Sequence, residues 1–473
     1  MVGGRIMNLK KQNLLITVLI AAFLCLCVPG ITFGETKENH DTYTFILKSN
    51  NQLNNVVQTI NNLYPELQVE TISEVGIVSI QLDNEENREK IIHTISNKIH
   101  NSVDEMGEMP EAALPAEPID PISIDSLPNS SVYLKPSNKS TIQKNENEFH
   151  ELDSSYFSPL NWYLEDVTNH FQTKDIQKGD KSRIALIDSG IDVYHPLLSQ
   201  NIDLKNAKNY IDVEKGVQDD SGHGTQVAGI LTTLAPESLI TPYKVIDETG
   251  GNSIWVIQAI IDAAKDGNDV INLSIGTYLS KSVDEEKVLV KAYDRAIKYA
   301  KKEGALVVAS AGNSSLNLDD LKDSREFHLP GGSQHVITVS SNTKQNTLAT
   351  YSNFGKQIDF SAPGGDLGPN FDLADMIITT YPINQPNTML DQMIGLPQGY
   401  TLSMGTSLAT PQVSAGASLI ISEYRTRYRK DLNMNKVKKY LKDGSTPLTN
   451  KKKDIYFGHG KINIYQSLQK MKK

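Results

Sequence analysis

Three short apolar runs, at 183–187, 270–274 and 305–310, constrain this chain more than any other feature. The second and third each follow a stretch with helical spacing, 254–265 and 286–302. Short strands without polar alternation are buried on both faces, and the helices between them supply the cover. The pattern therefore predicts an α/β domain of three layers built on a mainly parallel sheet. In such sheets reactive groups gather beyond the carboxyl ends of the strands. Asp188, Ser274 and Asn313 all fall at or just after such ends.

At 473 residues the chain is longer than one core usually organises. Residues 42–103 read as a small α+β unit. A β-prone run at 43–47 precedes a helix over 51–64 with Leu53, Val56, Val57, Ile60 and Leu63 on one side. Strands at 67–75 and 77–82 flank Gly76, and a second helix over about 84–99 gathers Ile91, Ile92, Ile95 and Ile99. From 104 to 158 prolines recur among acidic and small polar residues. Such a segment cannot bury enough apolar surface to offset its ordering entropy, so an exposed, easily cut linker is expected.

The first 34 residues read as an export signal. Arg5, Lys10 and Lys11 precede an apolar run at 14–28, Pro29 and Gly30 break it, and Thr32 and Gly34 offer small residues for cleavage. An uncleaved anchor is the alternative, and the breaker with its small-residue site argues against it. The two cysteines, Cys25 and Cys27, lie inside the apolar run. Cleavage after Gly34 leaves a chain without disulfides or thiol chemistry, stabilised by a large core. The expected divisions are 1–34 signal, 35–103 small domain, 104–158 linker and 159–473 catalytic domain. A formal net charge of -10, with no basic stripe among aromatics, argues against nucleic acid or an anionic membrane as partner.

Ser407 stands in Gly405-Thr406-Ser407-Leu408-Ala409, ahead of a helical run rich in small residues. A serine hydroxyl needs an adjacent base to act as a nucleophile, and a helix start aims N–H groups at a reacting carbonyl. His223 stands between Gly222 and Gly224, which leave the imidazole accessible. Asp188 follows a buried strand, where a carboxylate can hold an imidazole tautomer. Taken singly, these are more often a helix cap, a structural histidine and a turn residue. Taken together, their order is aspartate, histidine, serine, one of the three known orders of such a triad.

On the motifs Ile187-Asp188-Ser189-Gly190, His223-Gly224-Thr225, Ala311-Gly312-Asn313 and Gly405-Thr406-Ser407-Leu408-Ala409, the chain resembles the subtilisin family of serine proteases over about 160–468. The resemblance implies a serine endopeptidase needing no cofactor, with Ser407 as nucleophile, His223 as general base and Asp188 orienting it. It gives the oxyanion role to Asn313, pairs substrate backbone with Ser274, Ile275 and Gly276, and sets Ala311 and Gly312 on the far wall of the pocket. It makes the small domain a propeptide, with its processing site in the acidic linker.

The chain also departs from the family pattern. Leu197-Leu198 and a short stretch from His223 to Lys244 lack the oxygen ligands of the family's calcium site, so no metal is expected. The segment before Leu329-Pro330 is long and carries Lys322, Arg325 and His328. His328 falls near the pocket floor, where a cation would favour an acidic side chain before the cut. An insertion at about 365–402 is expected to shape the cleft rim. These features, with 268–276 and 293–313, resemble the lantibiotic leader peptidases, which remove the leader from a modified precursor peptide. The expected partners are then a peptide substrate and the chain's own propeptide, acting as a secreted monomer with no membrane contact after signal removal. A degradative protease of broad specificity and an inactive binding protein are the competing readings.

Overall fold

The computed structural model describes residues 42–82, 87–109, 111–112, 149–248, 250–280, 284–322, 326–368 and 371–472. The proposed signal, Arg325 and most of the linker lie outside them.

The apolar runs become the centre of a seven-stranded sheet. Its order is Phe360–Pro363, Val336–Asn342, Leu306–Ser310, Val270–Leu273, Arg183–Asp188, Leu239–Lys244 and Lys208–Asn209, with every pairing parallel. Side chains alternate between the faces, as strand geometry requires. Ile184, Leu186, Leu306 and Val308 enter one core with Val227 and Leu231 of helix His223–Leu234 and Leu408 and Val413 of helix Thr406–Tyr428. Ala185, Ile187, Val307 and Ala309 enter the other, with Ile257 and Ile260 of helix Ser253–Lys265 and Leu289 and Ala296 of helix Asp284–Lys302. The result is the subtilisin-like three-layer α/β fold, with a mainly parallel sheet.

The small domain is a four-stranded antiparallel sheet in the order Val69–Ile72, Ile77–Gln81, Thr42–Leu47, Val103–Glu108. Phe45, Leu47, Val78 and Ile80 face its own helices, Leu53–Leu63 and Arg88–Ile99. Ile46, Ile72, Val75 and Ile77 face the other way and join the core containing helices Ser253–Lys265 and Asp284–Lys302.

Both ends of the expected linker need correction. Val103–Glu108 is the fourth strand of the small sheet, paired along Thr42–Leu47. At the other end Leu152 and Phe157 are fully buried in the large core. Tyr400 fastens this segment: its hydroxyl donates to the His150 carbonyl at 2.6 Å and accepts from the His150 N–H at 2.8 Å.

Candidate active site

Asp188 ends its strand with its side chain fully buried, and Oδ1 accepts from the N–H of Ser189 at 2.8 Å. The same oxygen lies 2.6 Å from Nδ1 of His223, the first residue of its helix. That short contact fixes the proton on Nδ1 and leaves Nε2, itself buried, as the unprotonated ring nitrogen. Glycine at 224 is needed because any Cβ there would overlap the Gly190 carbonyl.

A second carboxylate locks this corner. Asp219 is fully buried and accepts from the N–H groups of Ser221, Gly222 and Thr225, from Thr225 Oγ1 at 2.6 Å and from Ser189 Oγ at 2.9 Å. Burial raises its pKa, against the opposing pull of these hydrogen bonds. Ser189 Oγ in turn accepts from the Gly224 N–H at 2.9 Å, tying the turn after Asp188 to the start of the histidine helix. Sequence reasoning missed Asp219. The helix-start pattern of an acidic residue ahead of His223 is the signal that could have found it.

Ser407 is the second residue of helix Thr406–Tyr428 and is 5% exposed. Asn313 Oδ1 accepts from the Thr406 N–H at 3.0 Å and from Thr406 Oγ1 at 2.7 Å. With its oxygen held this way, the amide must present its nitrogen on the other side. A Cβ built on Gly405 would sit 2.9 Å from Ser407 Oγ, 3.4 Å from Asn313 Nδ2 and 3.7 Å from the Ser407 nitrogen. Gly405 thus keeps open a space bounded by a hydroxyl and two N–H donors, an arrangement that could receive a developing negative charge. Thr406, also missed from sequence, positions the amide.

Ser274 does more than follow a strand: its Oγ donates to the Ser407 carbonyl at 2.8 Å and accepts from Asn272 Nδ2 at 3.1 Å. Ser414 Oγ donates to Asn272 Oδ1 at 2.8 Å, so the helix that carries Ser407 is pinned to the centre of the sheet. Ile275 and Ala311 are buried beside Gly276 and Gly312. The expected rim insertion contains strands Ile377–Thr380 and Tyr400–Ser403 and helix Met389–Ile394. It rests on the histidine helix, with Thr379 and Thr380 hydroxyls donating to the Gln226 and Thr225 carbonyls.

His328 lies against both Gly276 and Gly312, and it is not the cation expected there. It is 4% exposed, and burial pushes its pKa down to about 4. An imidazole that is neutral at physiological pH supplies hydrogen bonds, not charge. Along Gly250–Asn252 the chain's own Glu111–Ala112 pairs as an antiparallel strand, with Gly251 opposite Ala112.

Residues 179–460 match the subtilase family. The epidermin leader peptide-processing serine protease of Staphylococcus epidermidis is 27% identical over 65% of this chain and 74% of its own length. The nisin leader peptide-processing serine protease of Lactococcus lactis subsp. lactis is 29% identical over 76% of this chain, which spans 58% of that relative. Among solved structures, a lanthipeptide protease is 43% identical over 68% of this chain and 98% of its own, with a TM-score of 0.65.

Proposed function

The chain belongs to the subtilase family of serine proteases, and from that premise we propose that Ser407, His223 and Asp188 remove the leader from a lanthionine-containing precursor peptide. The 2.6 Å contact between Asp188 and His223 Nδ1 is the observation that carries the chemistry. His223 Nε2 takes the proton of Ser407 Oγ as that oxygen attacks the scissile carbonyl. Asp188 stabilises the imidazolium that forms, while Asn313 Nδ2 and the Ser407 N–H receive the charge on the carbonyl oxygen. His223 then returns the proton to the leaving amine, and water hydrolyses the acyl-enzyme by the same route. Substrate backbone lies along Ser274, Ile275 and Gly276, facing Ala311 and Gly312, as an added strand.

The similarity to leader-processing relatives supports the choice of substrate. Export by the N-terminal segment, and a zymogen that cuts its own 104–158 region, complete the reading. The burial of Ile46, Ile72, Val75 and Ile77 in one core with helices Ser253–Lys265 and Asp284–Lys302 supports a small domain that stays docked until it is removed.

The test is to incubate the mature enzyme with a leader-bearing modified precursor and, separately, with an unrelated denatured protein. Mass spectrometry is expected to find one cut at the leader junction and little attack on the unrelated chain. Comparable degradation of both would replace leader processing with broad proteolysis.

A further inference from the structure

The hydrolytic steps leave Asp219, a fully buried carboxylate just ahead of the general base in sequence, without a part. Its Oδ1 accepts from the N–H groups of Ser221 and Gly222 and from Ser189 Oγ, and its Oδ2 from the N–H and Oγ1 of Thr225. These donors belong to both halves of the aspartate–histidine pair. Ser189 follows Asp188 and donates its N–H to Asp188 Oδ1, whereas Ser221, Gly222 and Thr225 flank His223 in the chain.

The protons of this corner can be counted. Ser189 Oγ already accepts from the Gly224 N–H at 2.9 Å, and Thr225 Oγ1 from the Asp192 N–H at 3.0 Å. Each hydroxyl therefore points its single proton at Asp219. Every one of these neighbours donates, and a protonated carboxyl would bring one more donor to a site already filled with them. Burial opposes a charge here, but hydrogen bonds to the charged form hold it. Asp219 is thus a second buried anion beside Asp188. Other charges turn elsewhere. Lys244, opposite Asp188 in the sheet and buried, sets its Nζ 2.7 Å from both the Gln218 carbonyl and Asp220 Oδ2. The Asp192 carboxylate accepts from the N–H groups of Tyr194 and Ile383 and from Gln218 Nε2. From the rim, the Tyr381 ring lies against Gly222. Of these side chains, Asp219 is the one bonded to both the aspartate turn and the start of the histidine helix.

We propose that Asp219 is a positioning residue that acts through His223: its buried charge raises the basicity of the imidazole, and its bond to Ser189 holds the aspartate turn against the histidine helix. This rests on the reading of Asp188, His223 and Ser407 as the triad. A second anion stabilises the imidazolium formed in each proton transfer, and a more basic imidazole is the better general base. A residue that only capped the helix would fix geometry and leave the titration of His223 where it is.

The experiment measures kcat/KM on a peptide amide from about pH 5 to 9, with active sites counted by titration of Ser407 with a fluorophosphonate. The acid limb of that profile reports His223 in the free enzyme. In Asp219→Asn the imidazolium loses a nearby anion, so the limb is expected to move to lower pH by at least about half a pH unit. The plateau should fall about tenfold, carried by kcat rather than KM. Ser189→Ala keeps the charge and cuts the bridge, so its plateau should fall about 2- to 12-fold with the limb in place. Asp219→Ser keeps a capping oxygen without the charge and should shift the limb as Asp219→Asn does. An unmoved limb in both Asp219 variants, or no titratable enzyme from either, would overturn the proposal and leave Asp219 a structural cap. A limb that moves equally in Ser189→Ala would overturn it too, because charge and bridge would then not be separable. Hydrolysis that survives in His223→Ala would sink the triad reading itself. An inactive His223→Ala beside unmoved Asp219 limbs would spare the triad and sink only the proposal.

Discussion

Among the described residues, the two largest sheets are each covered on both faces, and they are covered differently. The seven-stranded sheet lies between helices of its own domain, and the site residues at its carboxyl edge are tied to one another across it. The four-stranded sheet has its own helices on one face only. Its other face, with Ile46, Ile72 and Ile77, is buried against helices Ser253–Lys265 and Asp284–Lys302 of the larger domain. The first arrangement holds a geometry fixed. The second buries apolar surface that becomes exposed if the small domain leaves, so its attachment can be tuned without disturbing the site.

The sharpest way to break this division is Ser407→Ala. Turnover on a peptide substrate is expected to fall by about 10⁶-fold, the scale measured for subtilisin itself when its serine is removed. Gel and mass analysis should show a full-length chain with the small domain still attached. Undiminished hydrolysis would remove the large sheet from catalysis altogether. Next in size is Asn313→Ala. Losing one oxyanion donor raises the barrier on the order of 2.7–4 kcal/mol, a range known from subtilisin, or about 10²- to 10³-fold in kcat. KM should barely move, because the donor acts mainly in the transition state. A loss carried mostly by KM would mean Asn313 binds substrate rather than charge.

These two substitutions touch residues that sequence made visible, and the reason is local. Ser407 stands ahead of a helical run rich in small residues, and Asn313, like Asp188 and Ser274, lies at or just after a buried strand, patterns that need no distant partner to be recognised. What escaped depends on pairings across the chain. Thr406 acts on Asn313 from 93 residues away, and Asn353 meets Tyr278 across 75. Nothing in the composition near either residue announces the partner. Residues 104–108 look like linker from the sequence because Asp-Glu-Met-Gly-Glu, largely exposed or half-exposed at the edge of a sheet, is acidic and apolar-poor in isolation. Its pairing with Thr42–Leu47 is what makes it a strand. The charge of His328 was misjudged for a related cause: the titration of an imidazole follows its burial, which sequence does not print.

The shared face of the small sheet offers a smaller test. Ile77 is fully buried there, and Ile77→Val removes one methylene at a cost of about 0.5–1.5 kcal/mol. Hydrogen exchange on the intact Ser407→Ala chain reads the effect as local opening. Amides of Ile77–Gln81 are expected to exchange roughly 2- to 12-fold faster, with those of Val270–Leu273 unchanged. Equal acceleration in both sheets would show one cooperative unit and dissolve the distinction.

The smallest expected effect comes from the ionic edge of the same interface. Asp104 Oδ2 lies 2.6 Å from Lys291 Nζ and 3.0 Å from Arg295 Nη2, on helix Asp284–Lys302. Its hydrogen bond with Lys291 chiefly, aided by the charges of both cations, holds its pKa below the ordinary value. A carboxylate whose pKa is depressed when docked stabilises docking above its free pKa of about 3.9 and loses that contribution as pH falls through the lower docked value. Because the pair is about a third exposed and open to salt, Asp104→Asn should accelerate exchange in the small sheet by no more than about fivefold near neutral pH. The substitution should do less as salt is raised, and nothing once pH is below the docked pKa. An acceleration that persists in acid would mean Asp104 acts through packing. An acceleration confined to neutral pH and low salt would make charge the adjustable part of an interface whose apolar face does most of the holding.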